Sequence, residues 1–315
     1  MTIRLMFLIK SGKEVTMDKI LKKGSDIQYL YDFKDGKIKM GMGIGTELDK
    51  YMRLKRGELC IFLGHDNVGK TYVINWLFLC HAFINNLTFC IWSGENRKGQ
   101  ILRDMIQMLS GKPFKSLSKS EILYLHNMIE NRFDFVDNKH QYKPEELLSI
   151  FRESEADVCL IDVVTGMDRE IGFESNYKFL NDARHFCNLT NKTLFMNTHP
   201  VSASGRAGNL HADGEFRGHL KAPLKNDIEM GKSYLNRCDF LCIIHRYTAH
   251  PDMKYYTMLS IEKVKDYSTG GSITPLNQPV LAEFNSGLGM KINGVDALDG
   301  HRPDLNKTIN KKLIT

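Results

Sequence analysis

The sequence predicts an α/β protein with a mainly parallel central sheet flanked by helices and antiparallel strands at one edge. From residue 47 onward, apolar runs of strand length alternate with helix-length segments, which is the spacing that parallel βαβ units require. In the last third, apolar runs follow one another with Gly- and Pro-containing turns, which is typical of antiparallel strands. The predicted strands are 59–63, 88–92, 133–136, 158–161, 194–196, 240–244, 255–263 and 280–284.

Length and composition limit the class of protein. The 315 residues allow one large α/β domain with a short appendage. A formal net charge of +6 is compatible with a polyanionic partner but does not by itself indicate one. The seven cysteines are scattered through apolar runs without metal-binding spacing, which indicates buried thiols in a reducing compartment. The apolar run at 5–9 is too short for a signal peptide or a membrane span, so we expect a cytoplasmic protein with no membrane association.

The sequence divides into three parts. Residues 1–45 predict an N-terminal arm or linker with a helix near 15–23, too small to bury a core of its own. Residues 46–286 carry the alternating strands and helices of the main domain. Residues 287–315 are polar and are expected to form an extended or disordered C-terminal tail.

Residues 64–71 match the phosphate-binding pattern G-x-x-x-x-G-K-[ST] and are called the phosphate loop below. The apolar run before it predicts a buried strand, and 71–84 after it predicts a helix. In such a loop, backbone N–H groups and the positive end of the helix bind a phosphate chain, Lys70 reaches the outer phosphates, and Thr71 ligates Mg²⁺. The predicted nucleoside triphosphate site consists of Gly64, His65, Asp66, Asn67, Val68, Gly69, Lys70 and Thr71.

Polar side chains follow three other predicted strands. Asp162 ends the strand at 158–161 and is a candidate metal carboxylate. Glu95, after the strand at 88–92, is a candidate base that orients the attacking water, and His199 is a candidate sensor of the γ-phosphate. Two alternatives stay open: Glu95 caps the following helix, and His199 is a structural histidine.

Six segments in a fixed order carry a family resemblance. They are the lead-in at 45–49, the loop GHDNVGKT, the run WSGENRKGQILRDMI, the strand DVCLID, the segment NTHP and the run MGKSYLNRCDFLCIIHR. Together they resemble the RecA-like motor domain of DnaB-family (superfamily 4) replicative helicases, which are P-loop NTPases. The His-Pro pair resembles the Twinkle and phage-type branch, because bacterial DnaB usually has Gln there. The resemblance implies ATP and Mg²⁺ as cofactors and the following roles: Lys70 for phosphate, Thr71 and Asp162 for the metal, Glu95 as catalytic base and His199 as sensor.

The resemblance also implies basic residues that act across a subunit interface. In that family a neighbouring subunit supplies a Lys-x-Arg pair, and Lys263 and Lys265 match its positions. Lys265 stands in place of the Arg, and its ammonium cannot make the planar two-pronged contact of a guanidinium. This difference puts the strength of catalysis in doubt. Arg246 is a further candidate cation, and Arg103 matches an Arg on the helix after the glutamate. The alternative for the two lysines is the solvated face of an edge strand.

Two segments match loops with which the family contacts DNA in the central channel of a ring. They are 165–175 and the Gly-rich stretch 201–222, which includes His219. Because aromatic residues are few there, we expect sequence-independent, salt-sensitive contacts to phosphates. The alternative is a disordered loop without a ligand. The candidate DNA-binding residues are Arg169, Arg206, Arg217 and Lys221.

The resemblance implies an ATP-dependent, ring-forming DNA helicase that translocates on single-stranded DNA during replication, expected to be a homo-hexamer. It would act in the cytoplasm, that of the host if the protein is phage-encoded. The short arm implies that any primase or loader is a separate protein, and that the arm docks on the adjacent subunit. Two alternatives remain: a RecA- or KaiC-like DNA-stimulated ATPase without unwinding activity, and a nucleotide-binding assembly or adaptor protein.

Overall fold

The structure is a computed structural model that describes residues 23–305, with the exception of residues 25, 39, 171, 206 and 230. The chain divides into two units, Met1–Met40 and Gly41–Thr315. In the first unit, the described residues include helix α1, Ile27–Lys34. The helix predicted at 15–23 lies almost wholly outside the described residues.

Nine strands form one sheet in the described part of the larger unit. In chain order they are β1 Leu59–Leu63, β2 Phe89–Ser93, β3 Phe133–Phe135, β4 Val158–Asp162, β5 Thr193–Thr198, β6 Phe240–His245, β7 Tyr256–Val264, β8 Val280–Phe284 and β9 Met290–Ile292. Strands β1 to β6 are parallel, whereas β7, β8 and β9 are antiparallel additions at one edge. The order across the sheet is β3-β2-β4-β5-β1-β6-β7-β8-β9. The predicted fold class is therefore confirmed.

Helices cover both faces of the sheet, and each face has its own apolar core. The helices of this unit are α2 Lys70–Ile84, α3 Lys98–Ser110, α4 Lys119–Glu130, α5 Pro144–Glu153, α6 Phe173–Thr190, α7 Ser233–Arg237 and α8 Tyr267–Gly270. In β1, Cys60 and Phe62 face the core that includes α2, α3 and α4, while Ile61 and Leu63 face the core that includes α5, α6 and α7. This alternation is what the period-2 geometry of a strand dictates when both faces are buried.

The prediction of a polar tail from residue 287 is wrong for the residues that the structure describes. Strand β9 pairs with β8, and Leu298 and Leu305 are buried. Arg302 pairs with the buried carboxylate of Asp296 at 2.6 Å. The larger unit also contains residues 41–45, which the prediction assigned to the N-terminal arm. At the other end, it extends past residue 286, at least to residue 305. Residues 306–315 lie outside the described part of the chain.

All seven cysteines are buried, as their apolar surroundings predict. Within the described residues, each helix is too short or too polar to cross a membrane.

Candidate nucleotide site

The phosphate loop joins β1 to α2 at the carboxyl edge of the sheet. A Cβ atom on Gly64 would lie 2.5 Å from the carbonyl oxygen of Ile244, so only glycine fits at this position. Gly69 has a φ of 89°, a left-handed conformation that L-residues with side chains rarely adopt. The two glycines allow the loop to turn into α2, whose N-terminus presents free backbone N–H groups to an anion.

Lys70, the first residue of α2, is 8% exposed and lies inside the turn of the loop. Its ammonium donates to the carbonyl oxygens of Gly64 and His65, each at 2.8 Å. Burial lowers the pKa of Lys70, and the carboxylates of Asp66, Glu95 and Asp162 act in the opposite direction. The ammonium is therefore fixed where a phosphate chain on this loop would need a positive charge.

Asp162 lies at the end of β4 and is 2% exposed. Its Oδ2 accepts from the hydroxyls of Thr71 and Ser93, each at 3.1 Å. Its Oδ1 accepts from the amide of Asn197 at 2.5 Å. Ser93 ends β2 and Asn197 lies on β5, the two strands that pair with β4, whereas Thr71 lies in the first turn of α2. The Asp162 carboxylate is thus held next to the C-terminal end of the phosphate loop, where the first turn of α2 begins.

The oxygen atoms at this position fit a magnesium ion that arrives with a nucleotide. The Thr71 hydroxyl and the Asp162 carboxylate are hard oxygen ligands, and Mg²⁺ usually takes one or two such groups and fills its shell with water and phosphate. The buried Oδ1 of Asn197 has no hydrogen-bond partner among the described residues and is a further polar atom of this cluster. Across the part of the chain that the structure describes, no group of three or more His, Cys, Asp or Glu side chains could hold a metal ion alone.

His199 directly follows β5 and contacts three charged side chains. Its Nδ1 lies 2.8 Å from Oδ1 of Asp66 and 3.3 Å from the ammonium of Lys70. Its Nε2 lies 3.6 Å from Oε1 of Glu95. The structure therefore brings together Lys70, Glu95 and His199, as the sequence predicts.

Glu95 lies in the turn after β2, with its side chain half exposed. The backbone N–H of Gly94 donates to the carbonyl oxygen of Asp162 at 2.7 Å, which holds this turn against the end of β4. The alternative that Glu95 caps the next helix is wrong. Helix α3 begins at Lys98 with Arg97 as its N-cap, and the side chain of Gln100 accepts from the N–H of Arg97.

Comparisons with known proteins concern the fold of the chain. No protein-family model and no curated protein matches the sequence. A solved structure described as the ATPase domain of a larger protein has a TM-score of 0.66 at 15% identity, over 87% of this chain and 100% of that chain. A DnaB-like replicative helicase, described with its interactions with primase, has a TM-score of 0.67 at 13% identity, over 87% of this chain and 68% of that chain. The chain has the RecA-like α/β fold of these solved structures.

Three further polar residues contact this site. The sequence prediction gives Ser93 and Asn197 no role, and it names Arg246 only as a further candidate cation. Ser93 and Asn197 hold Asp162, and their signal is a polar residue near the end of an otherwise apolar strand. Arg246, directly after β6, donates to the carbonyl oxygen of Asn67 at 3.2 Å. Its guanidinium therefore lies against the phosphate loop of its own chain.

Lys263 and Lys265 lie at the opposite end of the sheet from the phosphate loop. The ammonium of Lys263 donates to the carbonyl oxygens of Leu235 and Cys238 at 2.7 and 2.6 Å. Lys265, 62% exposed, pairs with Asp239 at 3.1 Å, just before β6 begins. The alternative of an edge strand is wrong for β7, because it pairs with both β6 and β8.

Arg103 contacts a neighbour on its own helix. It is exposed on α3 and pairs with Asp104 of the same helix at 2.7 Å. Among the described residues, no contact of Arg103 with the phosphate loop supports the role that the resemblance implies.

The Gly-rich stretch forms a short hairpin at 209–221. Leu210 bridges Leu220, and the N–H of His211 donates to the carbonyl oxygen of His219 at 2.9 Å. Phe216 stacks on the ring of Tyr247 with centroids 4.2 Å apart, which fixes the hairpin next to the end of β6. The described part of this stretch is thus folded rather than disordered.

The four candidate DNA-binding residues have different surroundings. Arg217 and Lys221 are exposed on the hairpin, whereas Arg206 lies outside the described residues. Arg169 donates to Oδ1 of Asn176 at 2.5 Å and lies over the ring of Phe179. The cleft of about 570 Å³ around Arg169 is lined by five carboxylate and three cationic side chains. This surplus of negative charge opposes the binding of phosphates near Arg169, so the hairpin is the better candidate.

The phosphate loop also contacts the stretch that leads into the hairpin. Nε2 of His65 lies 3.3 Å from the hydroxyl of Ser204, and both residues are buried. Burial is the main cause that lowers the pKa of His65, and the charge of Lys70 adds to it. A direct polar contact therefore connects the nucleotide site to the candidate DNA-binding segment.

Proposed function

We propose that this chain is an ATP-dependent DNA helicase that forms a ring, expected to be a hexamer, and translocates on single-stranded DNA during replication. One observation carries the proposal: Lys70, Thr71, Asp162, Glu95 and His199 surround one phosphate loop at the carboxyl edge of a RecA-like sheet. This edge is where ligands bind in open α/β sheets.

Each residue of the site has a chemical role in this proposal. Lys70 binds the outer phosphates, and Thr71 and Asp162 hold Mg²⁺, which neutralises charge on the triphosphate when bound. Glu95 orients the attacking water and accepts its proton. His199 contacts the γ-phosphate and reports its loss to the segment that follows β5.

The proposed DNA contact uses the hairpin at 209–221. Arg217 and Lys221 are its exposed cations, and Arg206 precedes it in the sequence. Cations of this kind bind phosphates without sequence preference. A separate primase or loader is the expected partner, and the expected location is the cytoplasm, that of the host if the gene is carried by a phage.

The proposal includes an active site shared between subunits, to which Lys263 and Lys265 contribute in trans. Their contacts also favour the second candidate function, a nucleotide-binding assembly or adaptor protein. The ammonium of Lys263 already binds two carbonyl oxygens of its own chain, and Lys265 pairs with Asp239. A protein that binds nucleotide only to assemble does not require these cations to be free.

A forked-duplex assay separates these functions. For the helicase we expect ATP-dependent strand displacement that is lost in Lys70→Ala and retained in the matched control Lys112→Ala. Glu95→Gln should bind nucleotide normally and lose about 10²-fold or more in turnover, the usual contribution of a general base. DNA-stimulated hydrolysis without strand displacement would favour the RecA- or KaiC-like alternative. Unchanged turnover in Glu95→Gln would refute the assignment of the base.

Mixed assemblies test the shared site. Lys70→Ala and Lys265→Ala subunits, each inactive alone, should recover activity when mixed, because about a quarter of the interfaces in a random ring then hold both intact residues. Images of particles formed with an ATP analogue and single-stranded DNA should show closed six-membered rings. Full activity of Lys265→Ala alone would contradict the trans role.

A further inference from the structure

The turn that carries Glu95 is held by a side chain from a different loop. Glu95 lies between Ser93 and Asn96 in the turn after β2. Nδ2 of Asn138 donates to the carbonyl oxygen of Ser93 at 3.0 Å and to that of Asn96 at 2.9 Å. We propose that Asn138 is a positioning residue for ATP hydrolysis, which holds this turn so that Glu95 stays at the nucleotide site. This inference rests on the proposed function, because it deepens the role given there to Glu95.

The pairing of two parallel strands brings Asn138 to this turn. Strand β3 pairs with β2, and beyond the paired residues the N–H of Val136 donates to the carbonyl oxygen of Ile91 at 2.9 Å. The chain then turns, and Oδ1 of Asp137 accepts from the N–H of Lys139 at 3.1 Å. A bond from an aspartate to the backbone two residues on is typical of an Asx-turn. The side chain of Asn138, between these two residues, therefore lies beside the turn after β2.

The two acceptors fix the orientation of the Asn138 amide. Both are backbone carbonyl oxygens, which only accept, so the NH₂ group rather than Oδ1 must face them. The two N–H groups of one nitrogen match two acceptors that lie on either side of Glu95 in the chain. A hydrogen bond on each side restrains the backbone at Gly94 and Glu95. A side chain with a single donor could not hold both ends of the turn in this way.

The other contacts of the turn belong to the proposed metal site. The N–H of Asn96 donates to Oγ of Ser93 at 3.1 Å. The N–H of Gly94 donates to the carbonyl oxygen of Asp162 at 2.7 Å. The side chain of Glu95 is 52% exposed, so packing does not fix its carboxylate. The position of that carboxylate therefore depends on the backbone that carries it, and small displacements of a reacting group lower the rate of a reaction.

Steady-state kinetics test the inference through two substitutions of Asn138. Asn138→Ala removes both donors and should lower kcat about three- to tenfold, the effect of about one net hydrogen bond. KM for ATP should be unchanged, because the phosphate loop is intact. Asn138→Asp has nearly the same shape but turns an acceptor toward the two carbonyl oxygens, so its loss should be at least as large. Wild-type kcat in either variant would overturn the inference. The matched control is Asn131→Ala, which removes another exposed asparagine, at the end of α4.

A double-mutant comparison separates positioning from a general effect on the site. In the Glu95→Gln background, Asn138→Ala should cause no further loss of kcat, because the carboxylate through which it acts is gone. The same fold loss in both backgrounds would contradict the role of Asn138.

Hydrogen exchange tests the contact without turnover. In Asn138→Ala the backbone amides of residues 93–96 should exchange about fivefold faster than in wild type, again the effect of one net hydrogen bond. In Asn131→Ala their exchange should not change. If the wild type fails to hydrolyse ATP, the proposed function is refuted, and this measurement still decides whether Asn138 holds the turn. Unchanged exchange in Asn138→Ala would overturn the inference.

Discussion

The buried contact between Asn197 and Asp162 predicts a large, pH-dependent loss of stability when Asn197 is replaced by aspartate. Nδ2 of Asn197 lies 2.5 Å from Oδ1 of Asp162, and the two residues are 0% and 2% exposed. Asn197→Asp has nearly the same shape but places an oxygen, in place of the donor, against the carboxylate. Two carboxylates at this distance do not both ionise, so one of them retains a proton.

The magnitude follows from the cost of retaining that proton. Aspartate has an ordinary pKa of about 3.9, so protonation at pH 7 costs about 4 kcal/mol, at 1.36 kcal/mol for each unit of pH. The folded state then binds one proton more than the unfolded state, so the stability of the variant decreases as pH rises. Between about pH 5 and 8 the loss should grow by about 1.4 kcal/mol per pH unit.

Urea unfolding of Asn197→Asp at pH 6, 7 and 8, followed by circular dichroism, measures this slope relative to wild type. Asn197→Leu is the matched control, because it removes the hydrogen bond without adding a charge. It should cost about 1–3 kcal/mol with no additional pH dependence. Parallel pH profiles for wild type and Asn197→Asp would refute the buried contact.

Three further predictions concern other parts of the molecule. Gly64→Ala should abolish binding of a fluorescent ATP analogue, because its Cβ would lie 2.5 Å from the carbonyl oxygen of Ile244. Burial lowers the pKa of His81 to about 3, below its unfolded value of 6.5. Its contribution to stability is therefore complete above about pH 6.5 and decreases by about 1.4 kcal/mol per unit as pH falls toward 3, and urea unfolding of His81→Gln should lack this acid-dependent part. Phe216→Ala removes the stacking on Tyr247, so hydrogen exchange of the hairpin should accelerate and single-stranded DNA should bind less tightly, while ATPase activity without DNA stays unchanged.

The strands that the sequence predicts are those with strong local signals. Apolar runs bounded by turn residues locate β1 to β8 to within one or two residues. Strand β9 has only three residues, and its burial depends on contacts with distant parts of the chain. The burial of Leu298 and Leu305 and the pairing of Asp296 with Arg302 are tertiary effects of the same kind, which composition alone does not reveal.

The sequence also predicts which side chains meet at the nucleotide site. Lys70, Asp162, Glu95 and His199 converge because the carboxyl ends of parallel strands share one edge of the sheet. The contacts that orient them were not predictable. The bond from Asn197 to Asp162 depends on the register between β5 and β4, and the contact of Asp66 with His199 depends on the path of the loop.

Arg246 and Lys265 lie at different distances from the phosphate loop of their own chain. Arg246 lies against its own phosphate loop, at the carboxyl end of β6. Lys265 lies beside the other end of β6, a strand of six residues that spans about 20 Å. A lysine side chain is far too short to cross that distance, so Lys265 does not reach the phosphates bound by its own chain. If Lys265 contributes to hydrolysis, its target is a nucleotide on a neighbouring subunit, and activity then depends on the concentration at which subunits assemble.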